Sequence, residues 1–268
     1  MAPGLVCSSH TISGVMPGGP VAARHPFRAR VEACAAAGYD GMCLHIRDYA
    51  ECRAAGWTDA DLRRVLDDNG ITHVGLEFLT GWDHGTAPLE DTAWRAAEAL
   101  GARYLNVGAG GETPSRAGFA ALCARAAAHD LPIALEIVPW TGVPDLPTAL
   151  ALIDGIDSAG LVIDCWHVFR GGIALDDLAR IPAHRILGIQ INDAAATPVA
   201  PLPKDTLNRR LPGQGDFDLT GFLRALAGTG TDGPISVEVI SPDLAAMDVD
   251  VAATTTAKAA RAAISRAR

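Results

Sequence analysis

Residues 132–166 read PIALEIVPWTGVPDLPTALALIDGIDSAGLVIDCW. A β-branched apolar run (132–138) enters a loop rich in Pro and Gly. An Ala/Leu helical segment (146–154) follows, and then a second apolar run (160–166). This is a strand–helix–strand unit, and the sheet it predicts is parallel. Each run carries one carboxylate among apolar neighbours: Glu136 in ALEIV and Asp164 in LVIDCW.

The same unit recurs in both directions from this stretch. Strand candidates lie at 5–10, 41–46, 71–78, 103–108, 132–138, 160–166, 185–192 and 234–240. Helical segments lie between them at 27–37, 58–68, 88–100, 115–129, 146–154, 174–180 and 218–227, with a long one at 243–267. Thr58 followed by Asp59 and Asp61 suits a helix start. Gly38, Gly70, Gly101 and Gly160 are read as helix-closing residues. Eight units averaging about 33 residues predict a (β/α)8 TIM barrel forming a single domain over 1–268. The competing doubly wound sheet normally carries G-x-G-x-x-G after its first strand, and that motif is absent. The segment 192–218 is long, polar and Pro-rich. After the seventh strand it falls at the carboxyl-end face, where barrel chemistry sits.

The 268 residues include 22 Lys+Arg against 31 Asp+Glu, a net charge of −9, with 49% hydrophobic and 20% charged residues. These values exclude a disordered or collagen-like chain. The acidic balance argues against a general nucleic-acid binder but not against a local basic pocket. Six cysteines (7, 34, 43, 52, 123 and 165) form no C-x-x-C pair, which predicts reduced, mostly buried thiols in a cytoplasmic protein. The start, MAPGLVCSSH, lacks a basic n-region and a long apolar run, and no stretch reaches transmembrane length, so neither a signal peptide nor a membrane partner is expected.

Glu136, Asp164, Gln190 and Glu238 occupy strand candidates five to eight, each embedded in apolar residues. Buried carboxylates need a paired base or a cation. Any one of them alone fits a buried Arg or Lys partner, but these strands contain only Arg185 as a candidate. Consecutive barrel strands converge on one mouth, so three carboxylates and one amide present four oxygen donors to one centre. Such hard donors favour one divalent cation, Mg²⁺, Mn²⁺ or Co²⁺.

The pieces Glu136, Asp164-Cys165-Trp166-His167, Gln190-Ile191-Asn192-Asp193, Arg209-Arg210-Leu211-Pro212-Gly213-Gln214-Gly215 and Glu238, in this order, resemble the xylose-isomerase-like TIM-barrel superfamily. This is the sugar phosphate isomerase/epimerase group, with ketose 3-epimerases, inosose dehydratases and a branch of 3-dehydroshikimate dehydratases. The resemblance implies one divalent cation held by Glu136, Asp164, Gln190 and Glu238. It also implies a small polyhydroxylated substrate, with His167 as a substrate contact or acid. Arg209, three residues before Pro212, is the implied anion or oxyanion contact. Arg210 is the fallback by one residue of loop slip, and solvated loop charge is the alternative for both. Two departures stand out. Many members place His on strand seven, where this chain has Gln190, and ketose 3-epimerases carry a second acid soon after the strand-five glutamate, whereas 137–142 offer none. Sugar specificity is therefore not carried over.

The chemistry expected is proton transfer at carbon beside a carbonyl, with Glu136 and Glu238 as the acid/base pair. Epimerisation or isomerisation is the first expectation. A lyase dehydrating a β-hydroxy ketone, such as 3-dehydroshikimate or an inosose, is the second. A barrel that keeps the pocket as a binding subunit is the third. His45, His10, Glu77, Phe78 and Asn106 sit near strand ends and would line the opposite wall, with His45 the best donor to a substrate hydroxyl. Trp140 and Trp166 are candidates for a lid or floor. Cys165 should face the helix layer, and Gly108–Gly111 reads as either an anion cradle or a tight turn. A homo-oligomer is left open.

Overall fold

The computed structural model describes residues 4–20 and 22–268. Eight strands, β1 (Leu5–Cys7), β2 (Gly41–His45), β3 (His73–Leu79), β4 (Leu105–Val107), β5 (Ile133–Glu136), β6 (Ala159–Asp164), β7 (Ile186–Ile191) and β8 (Ile235–Val237), close into a barrel in chain order. Neighbouring strands are parallel throughout, including the closing pair β1–β8. Each expected strand is present. Those after 5, 160 and 234 end early, because helix Ser9–Ile12 and helix Cys165–Gly171 begin at once and Glu238 lies just past β8.

The helices form the outer layer. Thr58 caps helix Asp59–Asp68 with a full capping box: its hydroxyl accepts from Asp61 N–H while the Asp61 carboxylate accepts from Thr58 N–H. The expected 243–267 helix is two, Pro242–Ala246 and Val249–Ala267, separated by extended backbone at Met247. The second packs on Phe27–Ala36 and Leu219–Gly228 and so completes the ring. Gly160 is not a helix-closing residue. It lies inside β6, where a Cβ would fall 2.7 Å from the Arg185 carbonyl oxygen; the left-handed turn there is Gly155 (φ 67°). Arg185 donates to the carbonyls of Ile156 and Ala159 rather than to a strand carboxylate. The six thiols are free, and all but Cys52 are buried. Among the described residues, no helix is long and apolar enough to cross a membrane.

Period-two alternation decides what the barrel encloses. The outward set at the strand ends is apolar and packs under the helices: Cys7, Leu44, Leu76, Leu105, Leu135, Ile163, Ile189 and Val237 are all buried. The inward set forms two layers. In the lower one Tyr104 lies across the interior against Ala134 and Val162, with its hydroxyl 3.7 Å from Cys43 Sγ. Gly188 leaves room for it, since a Cβ there would sit 3.0 Å from that hydroxyl oxygen. The layer above is polar on every strand: Ser8, His45, Glu77, Asn106, Glu136, Asp164, Gln190 and Glu238. The register aligns His45 with Glu77 and Asp164 with Gln190.

Candidate active site

His45, Glu77, Asn106, Glu136 and Glu238 of this layer line a cavity of about 500 Å³ at the carboxyl end of the barrel, a volume typical of small-molecule sites. Glu136, Asp164 and His167 bring one ligating atom each within 4.8 Å of one another, all three buried. His167 Nε2 lies 3.4 Å from Glu136 Oε1 and 3.7 Å from Asp164 Oδ2. The opposite oxygen of Glu136 accepts from Asn106 Nδ2 at 2.9 Å. Asp164 Oδ1 accepts from the Trp166 backbone N–H and from Asn192 Nδ2, each at 2.9 Å, which leaves Oδ2 turned inward.

Arg209 reaches the same centre from the 192–218 loop. Its Nη1 lies 2.7 Å from Asp164 Oδ2 and 2.9 Å from Glu238 Oε2, while Nε and Nη2 are held by Thr206 Oγ1. Strand candidates five to eight offered only Arg185 as a counter-charge, and the structure supplies this one from a distant loop. The loop is organised by Asp193. Its backbone pairs with Arg210, and its carboxylate accepts from the N–H groups of Gly213, Phe217 and Ala194. Arg210 points elsewhere, is exposed, and its guanidinium lies near the Gln214 carbonyl, outside this cavity.

Glu238 Oε1 and Glu77 Oε1 meet on one hydroxyl, Ser8 Oγ, 2.9 Å from each. Glu77 also accepts from the Ser9 N–H at 2.7 Å. A hydroxyl has a single hydrogen, so it can donate to only one of these carboxyls at a time. Ser8 is the residue that sequence reading passed over; its signal was the inward register of strand one, two residues before His10.

The electrostatics follow from crowding four carboxyls around one guanidinium. Burial raises Glu77 to about 7, with Glu136 adding to the effect against the Ser9 and Ser8 hydrogen bonds. Burial also pushes Glu238 well above the ordinary carboxylate range despite Arg209, with Glu77, Asp164 and Glu136 adding to the rise. At Asp164 burial acts in the same direction, but Arg209, His167 and two hydrogen bonds outweigh it and hold the carboxyl below its usual value. The excess of negative charge is what a bound cation would offset. The donor set fits such an ion: Gln190 Oε1 is buried without a hydrogen-bond partner beside Asp164 in the sheet, and Asn106 Oδ1 is likewise unpaired.

The opposite wall contains His10 and His45, ring centroids 6.0 Å apart, with Glu77, Phe78 and Asn106. His45 Nδ1 accepts from the Arg47 N–H and so caps helix Ile46–Ala54. Burial lowers both imidazoles to about 4, so both are neutral near pH 7. Trp140 is partly exposed at the rim, edge-on to Trp166 (5.7 Å) and 5.6 Å from His167. Cys165 faces away, with its Sγ against Asn192. The Gly108–Gly111 turn is engaged by protein, since Gly110 donates to Asp83 and its carbonyl accepts from Gly142.

Comparison with known proteins agrees with this architecture. A 3-dehydroshikimate dehydratase of Pseudomonas aeruginosa is 29% identical over 239 residues, which is 79% of this chain and 36% of that protein. An inosose isomerase of Halalkalibacterium halodurans is 29% identical over 119 residues, 43% of this chain and 42% of that one. The chain thus spans well under two thirds of the length of these curated relatives. Among solved structures, the IOLI protein with a bound zinc atom superposes at a TM-score of 0.81 with 20% identity, covering 99% of both chains, a likeness of fold. The profile of the xylose isomerase-like TIM barrel family matches residues 31–266, and the chain belongs to that family.

Proposed function

We propose that this protein is a divalent-metal-dependent isomerase or epimerase of a small polyhydroxylated ketone, with Glu136 and Glu238 as its acid/base pair. The observation that carries the reading is the convergence of Glu136, Asp164 and His167 on one point, with the unpaired Gln190 oxygen beside Asp164. Glu136, Asp164, Gln190 and Glu238 would hold the ion, with His167 within reach of it. Mn²⁺, Mg²⁺ and Co²⁺ suit a set this rich in oxygen. A divalent cation supplies fixed positive charge that stabilises negative charge developing on a substrate oxygen.

The protein groups divide the remaining work. One glutamate removes the proton from the carbon beside the carbonyl, and the electron pair moves onto the carbonyl oxygen. The other glutamate, three strands away around the mouth, returns a proton to carbon from a different side. Asn106 fixes the orientation of Glu136, and Ser8 that of Glu238. Arg209 sits beside both Asp164 and Glu238, where it can face the developing oxyanion.

The second reading is a dehydratase, favoured by the similarity to the Pseudomonas dehydratase over most of this chain. The first proton transfer is the same. The electron pair then expels the β-hydroxyl, which leaves as water after taking a proton from His167, and an enone forms.

Incubation of the metal-loaded protein with candidate hydroxyketones in D₂O tests both. Deuterium on carbon without loss of water supports isomerisation, and a rising enone absorbance supports dehydration. Glu136→Gln and Glu238→Gln should each slow either reaction by about 100-fold or more. Unchanged rates in both variants would remove the acid/base assignment.

A further inference from the structure

The cavity is polar at depth and apolar along one side of its mouth. On that side the strand order places Phe78, at the end of β3, and Trp140, after β5, on either side of β4. β4 leaves the barrel through Gly108 and Ala109, so little side chain stands between the two aromatic residues around the rim. Gly108 is required here, because a Cβ would lie 2.2 Å from Phe78 Cζ. Hydrogen bonds hold this frame: Trp82 Nε1 donates to the Gly108 carbonyl at 2.8 Å, and the Gly142 N–H donates to the Gly110 carbonyl at 2.6 Å. Trp140 sits in a turn in which the Val138 carbonyl accepts from both the N–H and the hydroxyl of Thr141. Its indole is nevertheless left 38% exposed, with the ring of His167 only 5.6 Å away.

Two aromatic side chains flanking a stretch of bare backbone make a slot for a flat apolar ring. A bare polyol would set its distal hydroxyls against Phe78, Val138 and Trp140 in place of water. The nearby Thr141 hydroxyl offers no relief, since it already donates to the Val138 carbonyl and accepts from the Val143 N–H. The volume of about 500 Å³ also exceeds the needs of a short polyol; cavities of roughly 300–1,000 Å³ enclose drug-sized ligands. We propose that the Phe78–Trp140 slot binds an aryl group carried by the substrate, so that the hydroxyketone processed at depth is an aryl-substituted one. The ketone end of this assignment rests on the proposed function; the aryl end does not. Aromatic rings gain from offset or edge-to-face contact beyond the area they bury, which favours an aryl group over a saturated ring of the same size.

The probes are 2-hydroxyacetophenone, its cyclohexyl analogue, hydroxyacetone and benzyl alcohol. They are titrated by ligand-observed NMR against the Mg²⁺-loaded protein and its Trp140→Ala, Trp140→Phe and Ala109→Leu variants. Hydroxyacetophenone should bind wild type at least about tenfold more tightly than hydroxyacetone, the scale of burying one apolar ring. It should also bind at least about threefold more tightly than the cyclohexyl ketone. Trp140→Ala and Ala109→Leu, which fills the slot, should each bring the phenyl and methyl ketones within about threefold. Trp140→Phe should retain most of the preference. Because the Trp140 indole stands at the rim, Trp140→Ala should melt with the wild type. Equal binding of the phenyl and methyl ketones by wild type, or an undiminished preference in Trp140→Ala, overturns the assignment. Cyclohexyl binding as tight as phenyl also overturns it, in favour of a slot for any apolar group. Benzyl alcohol has no carbonyl and reads the slot apart from the ion site: it should bind chelator-treated protein and weaken by at least about threefold in Trp140→Ala. The D₂O exchange experiment is independent. An aryl preference without any carbon-bound deuterium would leave the slot assigned and the enolisation reading rejected, and deuterium in a ketose without an aryl preference would do the reverse.

Discussion

Arg209 reaches from the loop after β7 to Asp164 at the end of β6, and the two are joined by a 2.7 Å ion pair with both side chains almost fully buried. The same nitrogen also holds Glu238, so one loop residue ties the ends of two strands across the mouth. Removing one member of a buried pair leaves the other charge uncompensated, typically at a cost of about 3–5 kcal/mol. Arg209→Ala should therefore lower the stability of the metal-free protein by about that amount in urea unfolding. Added Mn²⁺ should recover a larger share of stability in the variant than in wild type, because the ion then faces carboxylates no longer neutralised by the guanidinium. A loss of under about 1 kcal/mol would show that the pair behaves like a solvated surface bridge.

Asp193 places that arginine by gathering the loop around its carboxylate. Gly215 is where the gathering is tightest: a Cβ there would lie 2.2 Å from Asp193 Oδ1 and 2.3 Å from the Ala194 carbonyl oxygen. Relief requires backbone movement, so Gly215→Ala should cost about 1–3 kcal/mol, in the range of overpacked sites. It should also reduce catalysis through displacement of Arg209. A variant with wild-type stability and wild-type turnover would mean the loop is free to adjust and does not position the site.

Much of this arrangement was legible in the sequence, and the reasons are physical. Alternation along each strand turns one set of side chains under the helices and the other into the barrel, and both sets are mostly apolar below the mouth, so Glu136, Asp164, Gln190 and Glu238 stood out as polar residues in apolar runs. Thr58 announced its helix because capping is local chemistry. The placement of Arg209 was not legible as a contact, since it depends on a loop that folds around Asp193 more than a dozen residues upstream. Ser8 was hidden because a short serine-containing strand end resembles any turn. Helices Ile46–Ala54 and Cys165–Gly171 follow their strands without a loop, so no break in composition marked their start. The final helix reads as continuous because Met247 and Asp248 interrupt it without a proline or glycine.

His73, at the start of β3 and away from the mouth, provides a clean acid titration. Burial, helped by Arg103, lowers it from 6.5 to about 4. In the unfolded chain it takes up a proton as the pH falls through 6.5, whereas the folded form resists until about 4. Unfolding therefore binds protons in that window, so the His73 contribution to stability is complete above pH 6.5 and is lost progressively down to about pH 4. His73→Gln should flatten the slope of stability against pH between those limits by about one proton. NMR titration should find the His73 ring neutral at pH 5; a midpoint near 6.5 would contradict the burial account.

The central claim is that the floor of the barrel holds one divalent cation between Glu136, Asp164, Gln190 and Glu238. Calorimetric titration of chelator-treated protein with Mn²⁺, alongside Asp164→Asn, tests it most directly. The account predicts saturable binding of one ion per chain in wild type and its loss in the variant, with both proteins folded. Absence of saturable binding in wild type, or binding unchanged in Asp164→Asn, would contradict it.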